Sequence, residues 1–206
     1  MIKFLDVTDK LDFNNYDLIY MGSGNYEALE LIINELKKYK KDIKKYIENN
    51  KYFLITGNSI DIFGKYILKD GKKINGLDIF DYYIKIEDIS IIDKALFKTK
   101  LIEEKIIGFE RRNSLMFNNN YDFFDVIDGA SKNILVEKEG VKYKNFYATY
   151  LIGPFLIRNP FFLEYFIKSL VLNKNKDFKF KEFNLNFEKQ AYNNYLSYNY
   201  GIIKSE

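Results

Sequence analysis

The first third of the chain alternates between apolar runs typical of strands and an apolar period typical of a helix. Short apolar runs at 2–7, 17–21 and 51–56 predict buried strands of a parallel sheet. Between Tyr26 and Ile47 the apolar residues recur at three- and four-residue steps, with lysines on the opposite face, which predicts an amphipathic helix. Strand–helix–strand alternation of this kind favours right-handed βαβ units.

The run that ends at Thr56 leads directly into Gly57 and Asn58 and then into an apolar segment at 60–66. This order predicts a strand, a tight turn and a short helix.

Beyond Gly71 the pattern changes to short apolar stretches separated by turn signals. The segments 78–86, 101–110, 134–137 and 141–152 are predicted to be antiparallel additions to the sheet. The expected fold class is therefore α/β: a three-layer, mostly parallel central sheet flanked by helices, with antiparallel strand additions.

Two helices are predicted near the C-terminus. Asn159 is a candidate N-cap and Pro160 suits the first turn of a helix that continues to Leu170. A further helix is expected around 187–198, within a C-terminal extension at 177–206. No linker or internal repeat divides the chain, so residues 1–206 are expected to form one domain.

Composition narrows the functional classes. Lys and Arg number 32 against 29 Asp and Glu, and the charges are interleaved, so no nucleic-acid partner is expected. The N-terminus lacks a signal-type apolar region and no run approaches the ~18 apolar residues of a membrane span, so a cytoplasmic location is expected. No cofactor is indicated, and the spacing of Asp70, Asp78 and Asp81 matches no metal-binding loop.

Neither cysteine nor histidine occurs in the 206 residues. Disulfides, thiolate nucleophiles and Cys-type zinc sites are thereby excluded for this chain, together with the side chain that titrates near neutral pH.

An ordered set of motifs nevertheless carries a family resemblance. In chain order the motifs are DLIYMGSG from Asp17, TGNSIDIFGKY from Thr56, NGLDIFD from Asn75, IGFE from Ile107, Glu139-Gly140, ATYLIGP from Ala148, and Asn159-Pro160. The set, which covers roughly 17–168, resembles class I glutamine amidotransferase domains of the cobyric acid synthase type, and among them the amidotransferase subunits of lipid II isoglutaminyl synthases. An unrelated flavodoxin-like sheet is the alternative.

The resemblance implies that three functional positions have changed. Gly57 stands where the family carries its cysteine nucleophile, in a strained turn after a strand. Ile152 stands where the family carries the histidine base. The family's Gly-Phe-Glu-Asn-His segment here ends in Arg111 and Arg112. The family's Mur-ligase-like or other synthetase partner is implied as a partner of this chain.

Glutamine hydrolysis through a thioester requires a nucleophile, a base and donors for the oxyanion. Gly57 and Ile152 supply neither of the first two, so the catalytic positions are predicted to be degenerate. Ser59 and Thr56 flank the turn, but neither occupies the nucleophile position and the chain has no histidine to deprotonate them. Glycine tolerates strained backbone, so the geometry of the turn is expected to persist.

The candidate binding residues are Gly22, Ser23, Gly24, Asn58, Arg111 and Arg112. The 22–24 loop resembles the family's oxyanion loop, whose amides suit a carboxylate or amide ligand such as glutamate or glutamine, although a tight turn capping a helix explains the motif equally well. Neighbouring residues of a strand point to opposite faces, so at most one of the two arginines enters a pocket, and two solvated surface arginines are the simpler interpretation.

Three functions remain open at this point. The first is a degenerate amidotransferase-like subunit that binds a synthetase, the second an active amidotransferase with an unrecognised nucleophile, and the third an amino-acid-binding module without turnover. Relative to the family, an N-terminal strand and helix are expected to be missing, which would leave a sheet edge for a partner or another element to cover.

Overall fold

A four-stranded sheet lies at the centre of the fold. The computed structural model describes residues 2–6 and 9–202. In the central sheet the strand order is β1 (Leu18–Met21), β2 (Tyr52–Thr56), β10 (Phe146–Thr149) and β9 (Val141–Tyr143). The pairs β1–β2 and β2–β10 are parallel and the pair β10–β9 is antiparallel. The predicted strands at 17–21 and 51–56 are confirmed.

Helices cover both faces of this sheet, as the side chains of β2 show. Phe53 and Ile55 pack into the same buried cluster as helices α1 (Tyr26–Leu36) and α2 (Lys40–Glu48). Tyr52 and Leu54 point the other way, toward helix α4 (Pro160–Lys174). Every residue of β2 is buried, as expected for a strand between two layers of helix. The predicted three-layer α/β fold is confirmed.

A second sheet extends the fold and is larger than the antiparallel additions that the sequence predicted. It contains β3 (Tyr66–Lys69), β4 (Lys72–Asn75), β5 (Tyr83–Lys98), β6 (Ile106–Phe117), β7 (Phe124–Asp128) and β8 (Lys138–Glu139). Only β3 and β5 run parallel in it; the other pairs are antiparallel. The parallel arrangement is therefore confined to the central sheet and one neighbouring pair.

The long amphipathic helix is interrupted once. A 3-10 turn at Lys37–Tyr39 separates α1 from α2. A 3-10 helix closes a turn with three residues where an α-helix needs about 3.6, so this turn rotates the apolar face by about 60°. Asn25 accepts a hydrogen bond from the Ala28 N–H and thereby caps α1.

Several predicted strands and helices are wrong or displaced. Residues 2–6 are irregular where a strand was expected, and Val7 lies outside the described residues. The predicted helix at 60–66 is a 3-10 helix that ends at Phe63, with strand β3 beginning at Tyr66. The segment 134–137 forms only part of an isolated bridge. Short apolar runs do not distinguish a helix from a strand, which explains the second error.

The C-terminal helices follow the predicted positions, but Asn159 has a different role. A short helix α3 (Phe155–Arg158) precedes α4, and the Asn159 side chain makes no cap bond. Its Oδ1 accepts from the Ile107 N–H at 2.8 Å and its Nδ2 donates to the Ile107 carbonyl at 2.9 Å. Asn159 therefore fastens the start of α4 to β6.

The last helix, α5 (Asn186–Tyr200), lies within the predicted C-terminal extension. Its buried residues Tyr192 and Leu196 pack against Leu96 of β5 and Ile107 of β6. Among the described helices, none combines the length and the apolar character needed to cross a membrane.

Candidate functional site

The turn after β2 has the strained backbone that the family resemblance implied. Gly57 has φ +68°, in the left-handed region where glycine is favoured, and a 3-10 helix, here the elbow helix, runs from Gly57 to Phe63. The Gly57 N–H donates to the Leu151 carbonyl at 3.1 Å. This bond brings the segment containing Ile152, where the resemblance implies the base, beside Gly57, where the resemblance implies the nucleophile.

Ser23 fills the space that a side chain at position 57 would need. An ideal Cβ built on Gly57 lies 2.5 Å from the Ser23 Cβ and 3.2 Å from the Ser23 Oγ. The first distance is far inside van der Waals contact, so any larger residue at position 57 requires the 22–24 loop to move. The arrangement therefore leaves no room for a larger side chain at the position where the resemblance implies the nucleophile.

The same loop is fastened to the elbow helix by side-chain hydrogen bonds. Asn58 Oδ1 accepts from the Gly24 N–H at 3.1 Å, and Asn58 Nδ2 donates to the Gly24 carbonyl at 2.7 Å. The Ser59 hydroxyl donates to the Gly22 carbonyl. The Gly24 amide, a candidate donor for an oxyanion, is therefore already satisfied within the protein.

The two hydroxyls considered as substitute nucleophiles are both inaccessible. Ser59 is 1% exposed and Thr56 is 2% exposed. The Thr56 Oγ1 lies 3.0 Å from the Tyr20 hydroxyl, and Ser59 is engaged with the 22–24 loop. Neither hydroxyl faces a space that a substrate could enter from solvent.

Ile152, where the resemblance implies the base, takes part in backbone pairing. Ile152 is half-buried, and its N–H donates to the Phe109 carbonyl at 3.0 Å. An isoleucine side chain neither accepts nor releases a proton, so the segment retains its backbone pairing with β6 and no general base.

The two arginines occupy different environments, as expected for neighbours on a strand. Arg111 is exposed, whereas Arg112 is buried. Arg112 Nε donates to the Glu110 Oε2 at 2.8 Å, its terminal nitrogens donate to the Ser114 and Ser131 carbonyls, and its Cζ lies 4.2 Å from the Tyr150 ring centroid. The simpler interpretation of two surface arginines is wrong for Arg112, whose donors are used inside the protein.

A cluster of buried polar groups that sequence reasoning missed lies behind the elbow helix. We call it the buried cluster: Asp61, Glu110, Arg112, Glu139, Thr149 and Tyr150, all at most 5% exposed. The Tyr150 hydroxyl donates to the Asp61 carboxylate at 2.8 Å. Glu139 accepts from the Tyr150 N–H at 2.6 Å and from the Thr149 hydroxyl at 2.8 Å. The available signal was an acidic residue inside the apolar run Ser59–Phe63.

Burial changes the acidity of these groups. Desolvation raises the pKa of Asp61 to about 7, partly offset by its hydrogen bond from Tyr150. Desolvation and the neighbouring Glu110 raise the pKa of Glu139 to about 8. The pKa of Glu110 is also raised by desolvation, against the opposing charge of Arg112.

Two of the aspartates at positions 70, 78 and 81 form ion pairs with lysines, and the third lies in a turn. Asp78 pairs with Lys40 at 2.7 Å and Asp81 pairs with Lys65 at 2.9 Å, while Asp70 lies in the β3–β4 turn with φ +49°. Within residues 2–6 and 9–202, no group of three or more His, Cys, Asp or Glu residues is placed to hold a metal ion.

Comparison with known proteins identifies relatives that match most of the chain. The chain is 28% identical over 188 residues to the subunit GatD of lipid II isoglutaminyl synthase (glutamine-hydrolyzing) from Staphylococcus aureus strain N315, covering 91% of this chain and 77% of that protein. It is 27% identical over 162 residues to the subunit GatD of the same synthase from Streptococcus pneumoniae strain ATCC BAA-255 / R6, covering 77% of this chain and 62% of that protein.

A glutamine amidotransferase of known crystal structure has the same fold, with a TM-score of 0.52 at 12% identity over 75% of this chain and 79% of that one. The family of CobB/CobQ-like glutamine amidotransferase domains matches residues 1–160. That match covers most of the chain, including the 22–24 loop, the elbow helix and the Ile152 segment. The chain therefore belongs to the CobB/CobQ-like glutamine amidotransferase domain family.

Proposed function

We propose that this chain is a glutamine amidotransferase-like subunit that does not hydrolyse glutamine and that binds a Mur-ligase-like or other ATP-dependent synthetase. The observation that carries the proposal is the contact between Ser23 and Gly57. The space for the nucleophile's side chain is filled by a residue of the neighbouring loop, 2.5 Å from where a Cβ would stand.

The chemistry left at the turn is insufficient for hydrolysis. Acyl transfer from glutamine needs an activated nucleophile and a base within hydrogen-bond reach, and removal of either from such a unit costs several orders of magnitude in rate. Gly57 and Ile152 provide neither, and the Ser59 and Thr56 hydroxyls are buried. An active enzyme with an unrecognised nucleophile would need Ser23, which is exposed but has no histidine in the chain to activate it.

A role in a complex is supported by the relatives and by what the fold preserves. Both GatD proteins are subunits of a lipid II isoglutaminyl synthase. The backbone of the turn, its bond to Leu151 and the 22–24 loop remain assembled without catalytic side chains. A scaffold of this kind suits binding to a synthetase that acts on a cell-wall precursor in the cytoplasm, with lipid II as the predicted substrate of the complex.

The test measures hydrolysis and partner binding on the full chain. Ammonia release from glutamine is measured for the chain alone and for any complex that it forms, with Staphylococcus aureus GatD in complex with its own partner subunit as the active control. The expected result is no ammonia above background, together with stoichiometric co-purification of an ATP-dependent synthetase from the source cells. Chain-dependent ammonia release would overturn the non-hydrolytic assignment, and repeated purification without a synthetase would overturn the partner.

Binding of glutamine or glutamate without turnover is measured on the same preparation. A ligand that binds only the native state raises the melting temperature. The Gly24 amide is occupied by Asn58, so we expect no shift with either amino acid. A saturable shift that Asn58→Ala alters would instead favour the amino-acid-binding function.

A further inference from the structure

The buried cluster contains more carboxyl groups than cationic groups. Three carboxyl groups, those of Asp61, Glu110 and Glu139, are each 0% exposed, and Arg112 is the single guanidinium among them. If all three acids were ionised, two net negative charges would be held away from water. Such burial is costly unless the charge is paired or a proton is taken up.

The hydrogen bonds around Asp61 count in favour of a bound proton. The Tyr26 hydroxyl lies 3.4 Å from the Asp61 Oδ2 and 3.1 Å from the Asn113 Oδ1, but it carries one hydrogen. With an ionised Asp61, the Tyr26 hydroxyl can donate to only one of these two acceptors, and the buried Ser114 hydroxyl is the further donor close to the Asp61 carboxylate. With a protonated Asp61, the carboxyl donates to Tyr26 and Tyr26 donates to Asn113, so both acceptors have a donor.

In the second half of the cluster, Glu110 also has fewer hydrogen-bond donors than its carboxylate can accept. The Glu110 Oε1 is buried without a hydrogen-bond partner, although its Oε2 is paired with Arg112. Glu139 is bonded through both oxygens, to the Tyr150 N–H and to the Thr149 hydroxyl. A protonated Glu139 keeps both contacts, because the Thr149 oxygen can accept from it while also accepting from the Leu151 N–H.

The buried cluster, together with Tyr26, connects the segments that shape the turn after β2. Asp61 belongs to the elbow helix, Tyr26 to the first turn of α1 after the 22–24 loop, and Arg112 to β6. Thr149 and Tyr150 directly precede Leu151, whose carbonyl accepts from Gly57. A change in the charge of the cluster therefore acts on the elbow helix and on residues 149–152 together.

We propose that the buried cluster is a proton-dependent latch. With two protons held among its three carboxyls, it fastens the elbow helix and residues 149–152 to β6. Loss of these protons to solvent, by way of the half-buried Tyr26 hydroxyl, leaves unpaired negative charge and releases both segments.

All ionisable neighbours of the three carboxyls are consistent with this behaviour. Asp61 faces Tyr26, Tyr82, Tyr150 and Arg112. Glu139 and Glu110 face each other and share Arg112, and Asp93 adds further negative charge toward Glu110. Arg112 is thus the one cation among these neighbours, and it cannot neutralise a second or third carboxylate.

The experiment is amide hydrogen exchange of the full chain between pH 6 and pH 9, corrected for the intrinsic pH dependence of exchange. Opening that releases one proton becomes tenfold more favourable for each pH unit between the pKa of the group in the open state and its higher pKa in the closed state, and it stops changing above the closed-state pKa. Because the latch holds two protons, we expect the protection of the elbow helix and of 149–152 to fall by more than about tenfold between pH 6 and pH 9 relative to α4, and to level off toward pH 9.

Two neutral variants and one matched control make the test specific. Asp61→Asn and Glu139→Gln imitate the protonated acids, and each is expected to lessen the fall in protection at least about threefold relative to the wild type, because one titrating carboxyl is removed and the other remains. Glu182→Gln removes an exposed carboxylate and should leave the wild-type change intact. Equal pH dependence in all four proteins would contradict the latch.

Carbon-13 NMR of the side-chain carboxyls provides a readout that needs no variant. At least two buried carboxyls of the wild-type chain should titrate above pH 6. Titration of Asp61, Glu110 and Glu139 all below pH 5 would overturn the proposal, even if the Asp61→Asn or Glu139→Gln chain failed to fold.

Discussion

The two sides of the elbow helix differ in the side chains that they carry. On the side of the 22–24 loop, Gly57 and Ile152 stand where the resemblance implies the family's reactive side chains, and Ser23 lies against the space beside Gly57. On the opposite side, the six polar residues of the buried cluster, Arg112 among them, are buried and hydrogen-bonded. The shape of the turn is therefore supported by groups other than those that perform the family's reaction.

The largest expected effect comes from removing the single buried cation of the cluster. Arg112→Met leaves Glu110 buried without its partner, and breaking a buried ion pair in this way typically costs about 3–5 kcal/mol. Urea unfolding followed by circular dichroism measures the loss of stability. Arg111→Met, at the exposed neighbouring position, is the matched control and should change the free energy of unfolding by less than about 0.5 kcal/mol. Similar losses in the two variants would show that the cluster does not support the turn.

The next effect is a fall in global stability with rising pH. The pKa values of Asp61 and Glu139 are raised to about 7 and about 8 in the folded chain, so between pH 4 and pH 8 the unfolded chain binds fewer protons. Stability is therefore highest at the acid end of this window, decreases by at most about 1.4 kcal/mol per pH unit for each group, and levels off above pH 8. Urea unfolding at pH 5 and pH 8.5 should show this decrease, and Asp61→Asn should lessen it. Greater stability at pH 8.5 than at pH 5 would contradict the raised pKa values of Asp61 and Glu139.

Gly57→Ala tests the crowded side of the elbow helix. A left-handed alanine costs roughly 1–2 kcal/mol, and overpacking against Ser23 adds about 1–3 kcal/mol. Gly71→Ala is the matched control, because its φ is +70° and no atom lies within 4 Å of its ideal Cβ. The difference between the two losses of stability isolates the Ser23 contact, and Ser23→Gly in the Gly57→Ala background should reduce it. Identical losses would mean that Ser23 does not fill this space in solution.

The smallest expected effect concerns the bonds between Asn58 and the 22–24 loop. Asn58→Ala removes both contacts to Gly24, and hydrogen bonds of this kind contribute about 1 kcal/mol each. The loss of stability should stay near 1–2 kcal/mol, while the amide exchange of Gly24 increases markedly. Unchanged exchange at Gly24 would indicate that the loop is held by Ser59 alone.

The sequence by itself determined the local features of this protein. Strands β1 and β2, helix α4 and helix α5 were predicted because their apolar periods are short-range properties of the chain. The motif order predicted the family, which the match over residues 1–160 confirms. The absence of cysteine and histidine means that this chain supplies neither a thiolate nucleophile nor an imidazole base.

Only the tertiary structure decided which polar groups are buried and what they contact. Asp61 and Tyr150 lie 89 residues apart in the chain and 2.8 Å apart in the fold, a contact that no local pattern encodes. The different environments of Arg111 and Arg112 depend on which face of β6 meets the elbow helix, and the position of Ser23 over Gly57 depends on how two loops pack. The burial of a charge is set by partners distant in sequence, so these features required the assembled fold.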